Sequence, residues 1–357
     1  MEITLARLLS DYCLQARPSQ TVLIEAKTPA LPLIEALVPT LLERGAYPLV
    51  LLEYPEQERH FLEGAGAWLE QIPPIRRQMA EAADASLRIY SEENPLSLTG
   101  VDPARMARHR KAWRELAEIR LGKPWALTLY PTPGYAQQAG MGTARFREFV
   151  GRALFLDRPD PVAAWRELSA FQAALIERLG KVRMIRLEAP GTDLRLSVEG
   201  RTWVNSDGRR NMPSGEVFTG PQETSAEGQV SFNLPAVVAG QQVEGVYLRF
   251  EGGKVVEARA ERGQGYLHAA LESDPGARFL GELGIGTNYG IDRPTGIVLL
   301  DEKIGGSVHL ALGNSYPETG GTNRSAVHWD LVLDLRGGGR IWADGEVLQE
   351  DGRWVGL

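Results

Sequence analysis

The chain has 357 residues, 43% of them hydrophobic and 24% charged, with a formal net charge of −7. That length accommodates two domains at roughly 150 residues each, and the acidic balance with no basic run argues against a partner read through phosphates. A single cysteine, Cys13, excludes an intramolecular disulfide and a multi-thiolate zinc site.

The opening stretch MEITLARLLSDYCLQ is amphipathic, with acids at Glu2 and Asp11. It lacks the apolar run of a secretory signal, and no segment of the chain reaches the ~20 apolar residues of a membrane span. The expected compartment is the cytoplasm, with Cys13 packed as a small hydrophobe in the helix-like stretch 8–14. Residues 21–26 read as a strand, 29–44 as a helix and 47–52 as a second strand, a βαβ unit that implies parallel pairing. The alternation continues through a helix at 78–85, a strand at 86–90, a long helix at 103–121 and a strand at 125–130. Helices follow at 143–154 and at Pro161–Leu179, the latter opened by Asp160 as N-cap and Pro161 in the first turn. The first half is therefore expected to be an open, mostly parallel α/β sheet.

Beyond about residue 180 the texture changes to short runs separated by Gly, Asp and Pro: 182–187, 193–198, 228–232, 245–250 and 254–260. Glu251-Gly252-Gly253-Lys254 has the composition of a hairpin tip. A helical interlude at 264–273 precedes more strand-like sequence, and 341–348 reads as a closing hairpin. The expected organisation is an α/β domain at 1–180 and a β-rich α+β domain at 181–357 that carries the chemistry.

The chain has five histidines. His60, His109 and His268 lie in helix-like contexts and read as surface or packing residues. His328 and Asp330 flank Trp329 in SAVHWDLVLDL, so at strand period they share one face while Trp329 takes the other. An imidazole and a carboxylate side by side on a strand suit a divalent cation, or a buried His–Asp hydrogen bond. His309 follows the glycine-rich Lys303-Ile304-Gly305-Gly306-Ser307-Val308, where the backbone can turn closely around a site. Glu282 sits in the apolar FLGELGIGTN, and Glu302 and Glu216 stand at strand–loop junctions; unpaired buried carboxylates are costly, and a cation would relieve several together. Mixed His and carboxylate donors favour zinc, cobalt or manganese, and their number suits two ions about 3.5–4 Å apart. The glycines of Gly284–Gly290 lack dinucleotide-fingerprint spacing, Gly122-Lys123-Pro124 is no Walker A loop, and there is no G-x-S-x-G elbow.

The segments GEVFTGP, FLGELGIGTN, DEKIGGSVHLALGNSYPETGG and NRSAVHWDLV, with LYPTPGYAQQAGM upstream, together resemble the aminopeptidase T / aminopeptidase S family of bacterial metallopeptidases. The resemblance spans most of the chain and is densest over 211–335. It implies two divalent ions held by Glu216, Glu282, His309, His328 and Asp330, with Glu302 a weaker ligand candidate. It implies Tyr316 as the catalytic tyrosine. A carboxylate, Glu282 ahead of Glu302, is expected to accept the proton of a metal-activated water. The resemblance further implies peptide substrates with a free N-terminus and a homodimer. The spacing from His309 to His328 is shorter than in the best-known members, and the segment between Glu282 and Glu302 differs, which bears on substrate preference. Two other readings stand beside it: an amidase or dipeptidase on the same site, and a non-catalytic small-molecule-binding protein.

Overall fold

In the computed structural model, which describes residues 1–238 and 241–356, the chain divides into two compact units. The first comprises Met1–Ala163 with Gly208–Pro213, the second Ala164–Asp207 with Ser214–Leu357.

The first unit is built on a parallel sheet. Strands β1 (Thr21–Lys27), β2 (Tyr47–Glu53), β3 (Ala85–Tyr90) and β4 (Trp125–Leu129) lie in the order β2-β1-β3-β4, and the short segment Asn211–Met212 pairs parallel with β4. The apolar runs of β1 and β3 place Val22, Leu23, Ile24, Leu87 and Ile89 in the interior, as a sheet covered on both faces requires. Helices Leu31–Glu43 and Thr143–Ala153 are present close to their expected bounds, whereas the helix expected at 78–85 runs over Pro74–Ala82 and Ala85 already belongs to β3. The expected long helix at 103–121 is two helices, Pro103–Ala112 and Arg114–Leu121, broken at Trp113. Trp113 leaves helical geometry (ψ 1°) and its ring packs on Phe61 and His109; that tertiary contact has no signature in local spacing. Cys13 is buried, and its thiol donates to the Gly208 carbonyl at 3.1 Å.

The second unit begins inside helix Pro161–Leu179, which Asp160 caps by accepting from the Ala163 amide at 3.0 Å. Reading the boundary near residue 180 assigned this helix to the first half. Its Leu175 and Leu179 instead belong to the core of the second unit, because one buried stripe commits a helix to the layer it covers. That core lies between an eight-stranded antiparallel sheet, which includes Met184–Ala189 and Thr192–Ser197, and a five-stranded sheet. The five-stranded sheet is formed by β5 (Val204–Ser206), β6 (Glu216–Thr219), β7 (Leu280–Gly286), β8 (Ser307–Gly313) and β9 (His328–Asp334), ordered β9-β8-β7-β6-β5. The predicted hairpin tip joins Tyr247–Glu251 to Lys254–Arg259, with Gly252 and Gly253 at φ 55° and 78°. Positive φ at both central residues is what a tight two-residue hairpin turn demands.

Candidate metal centre

The site is assembled by strand register. In the antiparallel ladders Gly286 faces Glu216, His309 faces Gly284 on one side and Val332 on the other, Ala311 lies between Glu282 and Asp330, and Gly313 faces His328. Alternation then puts Glu216, Glu282, His309, His328 and Asp330 on one face, with glycine and alanine between them. The other face sends Leu283, Ile285, Val308, Leu310, Trp329 and Leu331 into the core. A bulge at Gly281 lets two residues of β7 oppose one of β8, so Leu280 points to the core and Glu282, two positions on, points to the site. Gly284 has its own steric reason: a Cβ there would stand 2.0 Å from His309 Cε1.

The donor atoms converge. His309 Nε2 lies 3.2 Å from Glu282 Oε1 and 3.5 Å from Glu216 Oε2, and His328 Nε2 lies 3.5 Å from Glu282 Oε2 and 3.7 Å from Asp330 Oδ1. Both imidazoles donate Nδ1–H to a backbone carbonyl, His309 to Glu302 at 3.1 Å and His328 to Asn314 at 2.9 Å. Such outer bonds fix the ring and leave Nε2 as the free donor atom. Among the described residues, three groups could each hold a cation: Glu216–Glu282–His309, Glu282–His328–Asp330 and Glu302–His309–Asp330. Glu216 Oε2 and Asp330 Oδ1 are buried without a hydrogen-bond partner, which costs free energy. These orphaned oxygens and the His/carboxylate donor set fit a divalent metal.

Charge at the site is strongly perturbed. Burial raises the Glu216 carboxyl above the usual range against the pull of Lys303, and burial with the nearby Glu302 pushes Asp330 up to about 6. Burial opposes a charged imidazole at His309, but Glu282, Glu216 and Asp330 outweigh it and push the group up to about 10. His328 moves in the same direction, with Asp330 and Glu282 overcoming its burial. For Glu302, burial is overcome by Lys303 and the two histidines, which hold it below the usual carboxylate range. Tyr316 stacks edge-on against His328 (5.0 Å between ring centroids) and Phe218 (5.7 Å), and burial near so many carboxylates raises its phenol. Buried acids whose charged forms oppose one another, as Glu302 opposes those of Glu216 and Asp330, are the electrostatic counterpart of a cation site.

The sequence profile of the thermophilic metalloprotease family M29 matches residues 3–354. The chain belongs to that family. Aminopeptidase 2 of Geobacillus stearothermophilus is 31% identical over 95% of this chain and 94% of its own length. Aminopeptidase T of Thermus thermophilus is 30% identical, covering 98% of this chain and 97% of that one. The solved structure of wild-type AmpT from Thermus thermophilus superimposes with a TM-score of 0.87 at 27% identity, covering 99% of this chain and 98% of that chain.

The candidate site residues of this M29 protein, Glu216, Glu282, Glu302, His309, Tyr316, His328 and Asp330, all lie at the cluster. Glu302 sits on the turn after Val298–Asp301, where its carboxylate is gripped by Lys303. Lys303, which the sequence presents only as the start of a glycine-rich run, is 1% exposed, and its Nζ donates both to Glu302 and, at 2.6 Å, to Glu216 Oε1. A lysine beside an acid and ahead of an apolar, glycine-rich run was the available signal. Gln172 is a second residue of this kind; its Nε2 donates to the Glu216 carbonyl at 2.9 Å and to Thr287 Oγ1 at 3.0 Å, anchoring β6 beneath the site. Nothing in a surface-patterned helix distinguishes that glutamine. His60, His109 and His268 bond elsewhere, to Tyr54, Leu69 and the Gln264–Ala258 pair.

Proposed function

We infer that this M29 metallopeptidase removes N-terminal residues from peptides, using two divalent ions held by Glu216, Glu282, His309, His328 and Asp330. The observation that carries the reading is the sharing of Glu282 between two donor groups, one completed by Glu216 and His309 and the other by His328 and Asp330. A carboxylate that belongs to both donor groups would serve a site able to hold two ions side by side. Zinc, cobalt and manganese all suit these donors. Bound there, such ions would polarise a scissile carbonyl and lower the pKa of water.

The chain's own groups supply the remaining work. Glu282 accepts a proton from the attacking water and returns it to the leaving amine as the C–N bond breaks, so the carbonyl carbon gains one oxygen and the amine departs neutral. Glu302, pinned in its charged form by Lys303, is the weaker base. Its place is to hold the charge balance beside His309. The Tyr316 hydroxyl, kept protonated by its surroundings, donates to the developing oxyanion. A carboxylate of the cluster, or an ion, holds the free α-amino group and makes the action exopeptidic. The homodimer rests on the family resemblance, and sedimentation equilibrium tests it.

The deciding experiment combines metal analysis with hydrolysis of leucyl- and other aminoacyl-p-nitroanilides, before and after chelation and reconstitution. The reading requires about two ions per chain, activity lost on chelation and restored by metal. Tight metal without release of N-terminal residues would transfer the site to amidase or dipeptidase chemistry, and neither metal nor rate in folded protein would leave a binding protein. Replacing Tyr316 by Phe should lower kcat by about 10²–10³-fold with little change in KM; an unchanged kcat removes the oxyanion role.

A further inference from the structure

The first unit holds a cleft of about 690 Å³ that the peptidase reading leaves unused. It opens at the carboxyl ends of β1, β2 and β3, lined there by Glu25, Lys27, Glu53, Arg88 and Tyr90. The order β2-β1-β3-β4 makes the gap between β1 and β3 a topological switch point, where open α/β sheets bind their ligands.

Charge within the cleft is unevenly matched. Each of its four carboxylates is already engaged: Glu25 by Arg120 and Arg76, Glu53 by Arg76, and Glu58 and Glu92 by Lys27. Three of its arginines, Arg88, Arg110 and Arg114, make no hydrogen bond or ion pair among the described residues, although Arg88 stands opposite Glu25 in the β1–β3 register. Arg88 lies 5.6 Å from the Tyr90 ring centroid with its side chain exposed, and Glu25, Glu58 and Glu92 favour its charge through space without contacting it. Beside it the wall is apolar: Phe61, Leu98, Met106 and Trp113, with Phe61 and Trp113 edge to face at 5.8 Å. An unpaired guanidinium on a strand, beside aromatic and aliphatic walls, matches an organic acid with an apolar body.

We propose that this cleft is a second binding site, for a small carboxylate whose acid group forks onto Arg88 while its apolar body covers Phe61 and Trp113. A phosphate ligand fits less well. Phosphates at switch points are cradled by glycine-rich loops, whereas the loop after β1 is Thr28-Pro29-Ala30 and the loop after β3 presents Glu92 and Glu93. Arg110 and Arg114, exposed on the helices beside the cleft, draw the anion in.

The test is calorimetric titration of the full-length, metal-loaded protein with phenylacetate, 3-phenylpropionate, the neutral phenylacetamide, and adenosine monophosphate. At least one carboxylate should bind saturably and the amide should not. Arg88→Gln should weaken that binding at least tenfold while leaving p-nitroanilide hydrolysis unchanged, and Arg88→Lys, which keeps the charge without the fork, should fall between. No carboxylate binding would overturn the proposal, as would equal affinity in wild type and Arg88→Gln, the result expected if the acid sits on the metal centre. Tighter binding of the nucleotide than of either carboxylate would overturn the ligand class. Circular dichroism of both variants separates loss of the site from loss of the fold, and if Arg88→Gln does not fold, equal affinity in Arg88→Lys and wild type overturns the proposal alone.

Discussion

His309 is held by three things at once: the Glu302 carbonyl on Nδ1, the carboxylates of Glu282 and Glu216 facing Nε2, and the absence of any side chain at Gly284. Gly284→Ala adds one methyl group where 2.0 Å is available, so the ring must turn away. Metal affinity should drop about 10–100-fold, the usual cost of disturbing what orients a ligand, as read by competition with a chromogenic chelator; unchanged affinity would show that the ring has room. Lys303 acts through charge. It is the ammonium buried between Glu216 and Glu302, and Lys303→Met leaves both carboxylates without it. Removing one partner of a buried pair costs roughly 3–5 kcal/mol, which urea unfolding in chelator should register. Added metal should recover part of the loss, since it supplies positive charge to the same acids.

At the scale of elements, the first helix, Glu2–Leu8, is tied down by its opening residue. Arg147 Nη2 donates to both oxygens of Glu2 at 2.5 and 2.7 Å, and the Tyr130 hydroxyl donates at 2.9 Å. Burial works against the Glu2 carboxylate, but these partners outweigh it and hold the group at about 2 against an ordinary 4.5. A depressed folded-state pKa contributes stability above the unfolded value and loses it as pH falls toward the folded one. The melting temperature of Glu2→Gln should therefore lie below wild type at pH 7, and the gap should narrow as pH drops from about 4.5 toward 2. A gap independent of pH would make the contact one of packing rather than charge. The bulge at Gly281 is an element-scale device of another kind. It reverses the facing of β7 between Leu280 and Glu282, letting one strand serve the core and the site in succession.

For the whole molecule, a site built from four strands of one sheet couples metal binding to folding, because no unfolded chain holds these donors together. Metal at 100 times its Kd should raise stability by about 2.7 kcal/mol, and chelation should remove it. Unfolding monitored with and without chelator checks this, and equal midpoints would show that the cluster does not take up the ion. Much of the site was legible beforehand for a local reason. Within one strand the pleat alone dictates that His328 and Asp330 share a face and Trp329 opposes them, and a carboxylate amid FLGELGIG signals that something must neutralise it. The βαβ alternation of the first half and the hairpin at Gly252-Gly253 were legible on the same basis, since period and turn chemistry are properties of short segments. What no spacing carries is which strands adjoin and in what register. That Glu282 reaches both histidines, that Gly284 lies under His309, that Lys303 is enclosed by two acids, and that helix Pro161–Leu179 packs with the second unit all depend on contacts between segments far apart in sequence. The residues and their faces were determined by the sequence read locally; their convergence on one centre was decided by long-range pairing, where burial and register select a single arrangement.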